Sequence, residues 1–538
     1  MSQCIVGYSG FVGGNLLLKL KFDYLFNSTN FIDAVNLNVD TLYFCGIPAN
    51  KWYANKFPDE DFKNMENVQN ILKTMTIRRI ILISTIDVYQ DLSGNFNEDS
   101  MILNSGNNHA YGKHRYLFEE FIKKNFANHY IVRLPGLFGY GLKKNVIFDL
   151  INNNKINNIC MHSTFQWYSL NWLTNDIEKI LDNNIRICNL FTEPLPTMGI
   201  ICYFNYPHKL FSENQKTEYN LKTKYSEKFN CDKDGYVRTK EEVEDELIKF
   251  INFNNIKKEK LCVSNICTNK MSQLQFSRIL NVLGLRNVEI APTKLVSWDE
   301  LNLLDLNIFK KNGIQVYSFQ SITFNLTDFN IFNDNSELLL SHLKNVIDSA
   351  YLNNVKILVF GCPGNRKIID YEKDNKSIAI IFFKSLGDYC KNKNITLCIE
   401  PNSKKYGCNF INTIDEAAEL ISEIGSSHIK LMVDLGNIIM EDDDISKVIL
   451  LKDEIGHVQI SQEFLDNFKH PHSTNSIFSY YLNNVLFYDG MISLEMLNKT
   501  ENEIETLFVS ILNFINLYGT QRNKELISSN LHFKKLYM

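Results

Sequence analysis

Four short apolar segments in the second half of the chain each carry one side chain able to hold a cation or move a proton. They are TLCIEPN at 396–402, IKLMVDLGN at 429–437, IGHVQIS at 455–461 and MISLEML at 491–497. The polar residues in question are Glu400, Asp434, His457 and Glu495. Polar loops bound the segments and helical stretches separate them, which is typical of buried parallel strands. The pattern predicts a divalent-metal site at the carboxyl ends of four successive strands.

Strand-like segments recur throughout residues 256–525. After the one at Leu261 come Val288–Ala291, Gln315–Phe319, Lys356–Phe360, Thr396–Glu400, Lys430–Asp434, His457–Ile460 and Ile492–Glu495. Eight strands that alternate with helices over roughly 260 residues predict a (β/α)8 TIM barrel. The chain after about Thr520 begins with a polar stretch, and residues 526–538 are expected to form an accessory tail.

Residues 1–255 show the alternation of a second α/β domain. Short apolar strands alternate with amphipathic helices, and the clearest strands are Cys4–Val6, Thr41–Cys45, Ile80–Ser84 and Tyr130–Leu134. This alternation predicts a Rossmann-type, doubly wound parallel sheet. The expected fold class is therefore α/β, with a Rossmann domain followed by a TIM barrel.

Composition excludes several classes of protein. A chain of 538 residues is too long for a single core, and 45% apolar with 22% charged residues is ordinary for a globular protein. The formal net charge of -5 gives no electrostatic reason to expect nucleic acid. No signal peptide is expected before the first strand, and no apolar run reaches the ~20 residues of a membrane helix. We expect a cytoplasmic protein without a membrane partner.

A glycine-rich segment, GYSGFVG, opens the first domain. Gly7, Gly10 and Gly13 enclose Phe11 and Val12 between the first strand and the first helix. Glycines in this position allow a tight turn and let the backbone approach a pyrophosphate. The segment predicts a dinucleotide-binding loop.

Three further segments of the first domain carry a family resemblance: LISTIDVY at 82–89, AYGKHR at 110–115 and RLPGLFG at 133–139. With the glycine loop, they resemble the extended short-chain dehydrogenase/reductases, the NAD(P)-dependent nucleotide-sugar epimerases, dehydratases and reductases. The resemblance implies that Ser84 or Thr85 binds a substrate oxygen and that Tyr111 is the acid/base. It also implies NADP or NAD as the cofactor.

The first domain departs from that family at two places. The family has a lysine four residues after the tyrosine, where this chain has Arg115; Lys113 points away from the Tyr111 face of the helix. In place of an acidic residue after the second strand stand Asn27, Ser28 and Thr29, which favours NADP or weakened cofactor binding. Two interpretations remain, an active NAD(P)-dependent reductase or epimerase and a non-catalytic binding scaffold.

The second domain resembles the xylose-isomerase-like TIM barrels, the sugar-phosphate isomerase/epimerase family. Supporting segments are EIAPTKL at 289–295, VFGCPGNR at 359–366 and CIEPNSKKYGCNFINT at 398–413. The resemblance implies that Glu400, Asp434, His457 and Glu495 coordinate Mn2+ or Mg2+, with Co2+ or Zn2+ as alternatives. It also implies that the two glutamates transfer protons at the carbon next to a carbonyl.

Two loop residues are candidates for substrate contact. Arg366 follows a barrel strand and could bind a phosphate or hydroxyl groups of the substrate. His472 lies in the loop after His457 and could close over the substrate. The abasic-site endonucleases share this barrel and are a rival class. Where that class places additional histidines, this chain has Gln320, Cys362 and Asn437, which argues against a trinuclear zinc centre.

Together these features predict a bifunctional carbohydrate enzyme. An NAD(P)-dependent sugar or nucleotide-sugar reductase/epimerase would be fused to a metal-dependent sugar or sugar-phosphate isomerase/epimerase. The expected partners are a sugar, sugar-phosphate or nucleotide-sugar substrate and, as in both families, a second copy of the chain.

Overall fold

The chain divides between Asn255 and Ile256 into two units. The computed structural model describes residues 2–100, 109–204, 206–213 and 216–521. The first unit comprises the chain up to Asn255 together with Gln521, and the second spans Ile256–Thr520.

The first unit contains ten strands and eight α-helices among its described residues. Its strands are β1 (Gln3–Val6), β2 (Tyr24–Phe26), β3 (Asn38–Phe44), β4 (Thr76–Thr85), β5 (His129–Leu134), β6 (Gly136–Phe138), β7 (Thr164–Phe165), β8 (Trp167–Ser169), β9 (Ile187–Asn189) and β10 (Leu195–Pro196). Its helices are α1 (Phe11–Leu17), α2 (Lys51–Lys56), α3 (Pro58–Thr74), α4 (Ala110–Asn125), α5 (Val146–Asn152), α6 (Leu173–Asp182), α7 (Thr197–Ile201) and α8 (Lys240–Asn254).

Six of these strands form one parallel sheet in the order β2-β1-β3-β4-β5-β9. The prediction of a parallel sheet is confirmed. The Rossmann order 3-2-1-4-5-6 is not what the sheet shows, because β3 pairs with β1 and, in the described part of the chain, no strand extends the sheet beyond β2. The strand order reverses between β1 and β3, so the switch point at which open α/β sheets bind ligands lies there.

Apolar side chains on the sheet explain why α4 packs against it. Leu42 and Phe44 of β3 and Leu82 of β4 share one buried cluster with Phe118 and Ile122 of α4. The last two are four residues apart, so they occupy the same face of the helix. This packing fixes the position of the Tyr111 end of α4 relative to the sheet.

The second unit is built around a closed barrel. Its strands are β11 (Ile256–Lys257), β12 (Leu261–Ser264), β13 (Asn287–Ile290), β14 (Gln315–Phe319), β15 (Ile357–Phe360), β16 (Thr396–Ile399), β17 (Ile429–Asp434), β18 (Ile455–Ile460), β19 (Ile492–Leu494) and β20 (Thr520–Gln521). Strands β12 to β19 close the barrel in chain order, and every neighbouring pair is parallel. The predicted eight-stranded barrel is confirmed.

Helices follow or connect the barrel strands, as expected when each parallel strand needs a crossover to the next. They are α9 (Gln273–Val282), α10 (Asn307–Lys310), α11 (Ser336–Leu352), α12 (Asn375–Lys393), α13 (Ile414–Ile424), α14 (Leu435–Met440), α15 (Lys447–Leu450), α16 (Thr474–Tyr480) and α17 (Glu503–Tyr518). Within the described residues, no helix has the length and apolar character needed to cross a membrane.

Candidate active site

Three of the four predicted ligands lie at the carboxyl end of the barrel. Glu400 directly follows β16, Asp434 is the last residue of β17, and Glu495 directly follows β19. Their exposed fractions are 7%, 3% and 7%, so little water reaches the carboxylates. This end of a TIM barrel is where active sites are found.

The three carboxylates disfavour one another's ionisation. Burial, together with the charge of Asp434, raises the pKa of Glu400 from 4.5 to about 8. Burial and the charges of Glu400 and Asp434 raise the pKa of Glu495 well above its ordinary value. Burial also raises the pKa of Asp434. Such shifts require that the groups lie close together in a poorly solvated site.

Asn437 links two of the carboxylates. Its Nδ2 donates to Glu400 Oε1 and to Asp434 Oδ2, each at 2.8 Å. Asp434 Oδ2 also accepts from the Asn437 backbone N–H and the Ser461 hydroxyl, both at 2.9 Å. The other oxygen, Oδ1, is buried and has no hydrogen-bond partner among the described residues. Hydrogen bonds therefore hold one oxygen of the Asp434 carboxylate in place, and the other oxygen has no donor from the described residues.

Gly361 makes room for the Glu400 carboxylate. A methyl group at this glycine would lie 1.7 Å from Glu400 Oε2. A larger residue here would displace the carboxylate from its place beside β15.

The structure does not bring His457 to these carboxylates. His457 is fully buried, and its Nε2 lies 2.9 Å from Glu289 Oε2. The strand register pairs His457 with Met432, whereas the residue paired with Asp434 is Gln459. His457 therefore lies two residues closer to the amino end of β18 than the level of Asp434.

Glu289 is a buried carboxylate whose part in the site the sequence did not reveal. It is fully buried in β13 and accepts from the Ser318 hydroxyl at 2.7 Å and the Ser493 hydroxyl at 2.9 Å. Gln459 Nε2 donates to it at 2.6 Å. Burial alone would raise the pKa of Glu289, but His457 and these donors outweigh it and lower the pKa. The available signal was an acidic residue inside the buried segment NVEI.

Arg366 is fully buried and its guanidinium is used within the protein. It donates to the backbone carbonyls of Phe360 at 3.2 Å, Glu400 at 2.6 Å and Phe410 at 3.1 Å. It also donates to Asn402 Oδ1 at 2.7 Å. These contacts favour a role in holding the loops after β15 and β16, and substrate binding by Arg366 stays a prediction.

Two residues lie in loops at this end of the barrel. His472 is exposed, and its Nδ1 lies 2.9 Å from the Thr474 hydroxyl, so its contact with substrate stays a prediction. Tyr406, in the loop after β16, was not anticipated. Burial raises the pKa of its hydroxyl, and the charges of the three carboxylates add to this shift. Its ring packs edge-on against Phe464, with ring centroids 5.9 Å apart.

The positions that would hold further zinc ligands in an abasic-site endonuclease have other uses here. Gln320 Nε2 donates to the Ser264 hydroxyl at 2.5 Å, and Asn437 links two carboxylates. Burial raises the pKa of the Cys362 thiol to about 11. Across the described ranges, no three His, Cys, Asp or Glu side chains stand in the arrangement of a metal site.

In the first unit, the glycine loop lies at the switch point of the sheet. Gly7 has φ +90°, and a methyl group there would lie 2.5 Å from the Cys45 carbonyl oxygen that follows β3. A methyl group on Gly13 would lie 2.2 Å from Gly7 O, so α1 approaches the loop closely. Gly10 precedes α1, whose first two residues are Phe11 and Val12. The predicted dinucleotide-binding loop stays a prediction.

Asn27 directly follows β2, where the family has an acidic residue. Its Oδ1 accepts from the Thr29 backbone N–H at 2.9 Å and from the Thr29 hydroxyl at 2.7 Å. Its Nδ2 donates to the Tyr8 hydroxyl at 3.3 Å. The side chain thus joins the glycine loop to the end of β2.

Tyr111, Thr85 and Arg115 come together near the end of β4. The Arg115 guanidinium lies 4.3 Å from the centre of the Tyr111 ring, and the Tyr111 hydroxyl interacts with Thr85. Burial raises the pKa of Tyr111, and the Arg115 charge only partly offsets this. Arg115 is itself paired with Asp61, at 2.7 and 3.3 Å, so its charge is shared.

Ser84 has a different environment from Thr85. Its hydroxyl donates to Glu119 Oε1 at 2.5 Å, and Glu119 forms a buried ion pair with Arg133 at 2.6 Å. Of the two hydroxyls proposed for substrate binding, only that of Thr85 lies beside Tyr111.

The family comparison agrees with the geometry of the second unit. Residues 278–514 match the model of the family described as xylose isomerase-like TIM barrel. This stretch is a xylose isomerase-like TIM barrel domain. The match covers less than half of the chain and does not reach residues 1–255. The resemblance of that half to short-chain dehydrogenases therefore stays a prediction.

Several solved structures are similar to part of this chain. 3-Keto-D-glucoside 4-epimerase from E. coli is 16% identical, with 48% of this chain and 99% of that chain covered and a TM-score of 0.40. D-Allulose 3-epimerase from Methylomonas sp., in complex with D-allulose, is 17% identical over 52% and 98%, with a TM-score of 0.37. AP endonuclease, family 2, from Brucella melitensis is 16% identical over 45% and 95%, with a TM-score of 0.39. No curated protein matches the chain.

Proposed function

We propose that the barrel isomerises or epimerises a sugar or sugar phosphate at the carbon next to its carbonyl. The observation that carries this proposal is the cluster of Glu400, Asp434 and Glu495, buried together at the carboxyl end of a xylose isomerase-like barrel. Glu400 and Glu495 would act as the pair of proton-transfer groups.

Proton transfer at carbon needs a carboxylate whose pKa is raised towards neutrality. Glu400, with a pKa of about 8, meets this need, and the pKa of Glu495 is raised in the same direction. They follow β16 and β19, which are separated by two other barrel strands, so the glutamates approach the site from different directions. Two directions are what removal of a proton on one face and return on the other require.

Although Glu400, Asp434 and Glu495 do not stand in the arrangement of a metal site, the chemistry of their oxygens fits a divalent cation, and they would be its holders. Three buried carboxylates offer oxygen ligands, and Asp434 Oδ1 lacks a donor from the described residues. Oxygen ligands suit Mn2+ or Mg2+ better than Zn2+ or Co2+. When bound, such an ion would polarise the substrate carbonyl and stabilise negative charge on its oxygen.

Deuterium exchange in D2O, followed by NMR, tests this proposal. We would incubate the protein and Mn2+ with ketoses, aldoses and their phosphates, and look for deuterium next to the carbonyl. Glu495→Gln should slow the exchange by about 10²- to 10⁴-fold, because a proton-transfer group is lost. Glu501→Gln changes an exposed glutamate in the same loop and should leave the rate unchanged. No exchange on any compound would contradict the proposal.

For the first unit, we propose binding of NADP or NAD at the switch point and oxidation–reduction or epimerisation of a nucleotide-linked sugar. The contact of Tyr111 with Thr85, and Arg115 over the Tyr111 ring, support an acid/base role. The pairing of Arg115 with Asp61 favours the alternative, a scaffold that binds without redox chemistry. Titration with NADPH and with NADH separates the two, because no binding of either at millimolar concentration would reject the catalytic alternative.

A further inference from the structure

We propose that Gln459, rather than His457, completes the cation site of the barrel. The site would then take a hard divalent cation, Mg2+ or Mn2+, on oxygen ligands alone. This inference rests on the function proposed for the barrel and specifies its cation and a fourth ligand.

The register of β17 and β18 provides the first argument. Asp434 pairs with Gln459, and paired residues of neighbouring parallel strands project to the same side of the sheet. Ser461, two residues further on, projects to that side too and donates to Asp434 Oδ2 at 2.9 Å. His457 is level with Met432, below this contact. The stretch of β18 that faces Asp434 is therefore the one that carries Gln459.

The contacts of Glu289 fix the orientation of the Gln459 amide. Gln459 Nε2 lies 2.6 Å from Glu289 Oε1, and the same carboxylate accepts from the hydroxyls of Ser318 and Ser493. A carboxylate surrounded by donors can only accept, so the amide end that faces it must be the NH2 group. Gln459 Oε1 is consequently directed away from Glu289.

Asp434 and Gln459, which are partners in the strand register, each carry one buried oxygen without a hydrogen-bond donor in the described part of the chain. Asp434 Oδ1 and Gln459 Oε1 are both buried without a hydrogen-bond partner among the residues described. A buried acceptor that loses its hydration without a replacement costs free energy, so two of them together indicate a ligand. Because Asp434 carries negative charge when it is ionised, a cation is the ligand favoured by both oxygens.

The available atoms also distinguish the class of cation. Carboxylate and carbonyl oxygens suit Mg2+ and Mn2+, whereas imidazole suits Zn2+. His457 Nε2 contacts Glu289. Its Nδ1 is buried and also has no partner among the described residues. The imidazole ring packs against Tyr317, with ring centroids 5.7 Å apart. His457 therefore contributes to the support of Glu289 rather than to the ligand set.

The test measures cation binding directly, with the full-length protein. Free Mn2+ would be followed by electron paramagnetic resonance, and Zn2+ binding by competition with a chelating dye. Gln459→Met keeps the size of the side chain but removes the hard oxygen, and should weaken Mn2+ binding by at least about tenfold. Gln459→His should shift the ratio of Zn2+ to Mn2+ affinity towards Zn2+ by at least about tenfold. His457→Gln is the matched variant and should retain the wild-type Mn2+ affinity.

The outcomes separate this inference from the function on which it rests. Wild-type Mn2+ affinity in Gln459→Met, with loss in Glu495→Gln, would overturn the role of Gln459 and leave the barrel's cation intact. Absence of Mn2+ and Mg2+ binding in the wild type would overturn both. Thermal unfolding shows whether His457→Gln folds. If it does not, the test rests on the ratio of Zn2+ to Mn2+ affinity in Gln459→His, and an unchanged ratio would contradict the role of Gln459.

Discussion

The two halves of the molecule treat buried carboxylates in opposite ways. In the first unit, two of them, Glu119 and Asp61, have arginine partners. Glu119 pairs with Arg133 at 2.6 Å, and Asp61 pairs with Arg115 at 2.7 Å. Burial alone would raise the pKa of Asp61, but Arg115 and His114 outweigh it and lower the pKa.

In the barrel, the carboxylates of the candidate site have no such partner. Glu400, Asp434 and Glu495 form no ion pair within 4.0 Å with any described residue, and the pKa of each is raised. Glu289 is the contrasting case within the same barrel, because its contact with His457 helps to lower its pKa. Paired buried charge supports architecture, whereas buried carboxylates without a cationic partner are candidates for a functional site.

The largest expected effect concerns a paired carboxylate. Glu119→Gln leaves Arg133 buried without its partner, so the first unit should lose about 3–5 kcal/mol of stability. Urea unfolding measures this loss. Glu120→Gln, at the neighbouring and more exposed position, is the control and should change stability by less than about 0.5 kcal/mol. A loss of similar size in both variants would mean that the buried pair is not what stabilises the unit.

A smaller loss of stability is expected at Asn437, a neutral side chain that donates hydrogen bonds to two of the unpaired carboxylates. Asn437→Ala removes the donor shared by Glu400 and Asp434 and should cost about 1–3 kcal/mol, because buried acceptors are left without it. Added Mn2+ should reduce the loss, since a cation satisfies the same oxygens. Chemical unfolding with and without Mn2+ checks this, with the exposed Asn484→Ala as the control. If Mn2+ does not reduce the loss of stability, the unpaired carboxylates of the barrel do not bind a cation, and the contrast with the first unit fails.

The two halves should also respond differently to pH. The pKa of Glu400 is raised from 4.5 to about 8, so between these values the folded state holds a proton that the unfolded state has released. Stability of the cation-free barrel should therefore fall as pH rises from about 5 to 8, by at most about 1.4 kcal/mol per pH unit for one proton. The lowered pKa of Asp61 acts in the opposite sense, with stability lost only as pH falls below its ordinary value of 3.8.

Thermal unfolding in EDTA across this pH range measures the slope. Glu400→Gln should flatten it, and Mn2+ should stabilise the protein more at pH 8 than at pH 6 because it competes with protons. A slope that is unchanged in Glu400→Gln would show that another group causes it.

The smallest effect on stability is expected at Tyr111. Tyr111→Phe removes one hydroxyl and keeps the ring beneath Arg115, so the change should be within about 1 kcal/mol. If the first unit is catalytic, NADPH binding should persist while turnover is lost. Equal turnover in the variant and the wild type would leave Tyr111 with a structural role alone.

Local pattern in the sequence was sufficient for much of the fold. The eight barrel strands and the parallel strands of the first unit follow from short apolar runs bounded by polar loops, which is a property of neighbouring residues. The positions of Glu400, Asp434 and Glu495 at strand ends follow from the same runs. The order of the first sheet was not accessible in this way, because the pairing of β3 with β1 depends on contacts between residues distant in the chain.

Which of His457 and Gln459 is level with Asp434 was decided only by the tertiary structure. Both residues alternate to the same side of β18, so the sequence does not tell which of them is level with Asp434. Ile455 pairs with Leu431, and His457 pairs with Met432. Gly456, which lies between them, therefore has no partner in β17, and the strand register shifts by one residue. That one-residue shift places Gln459 opposite Asp434, and a shift between two strands is a property of their packing rather than of either segment.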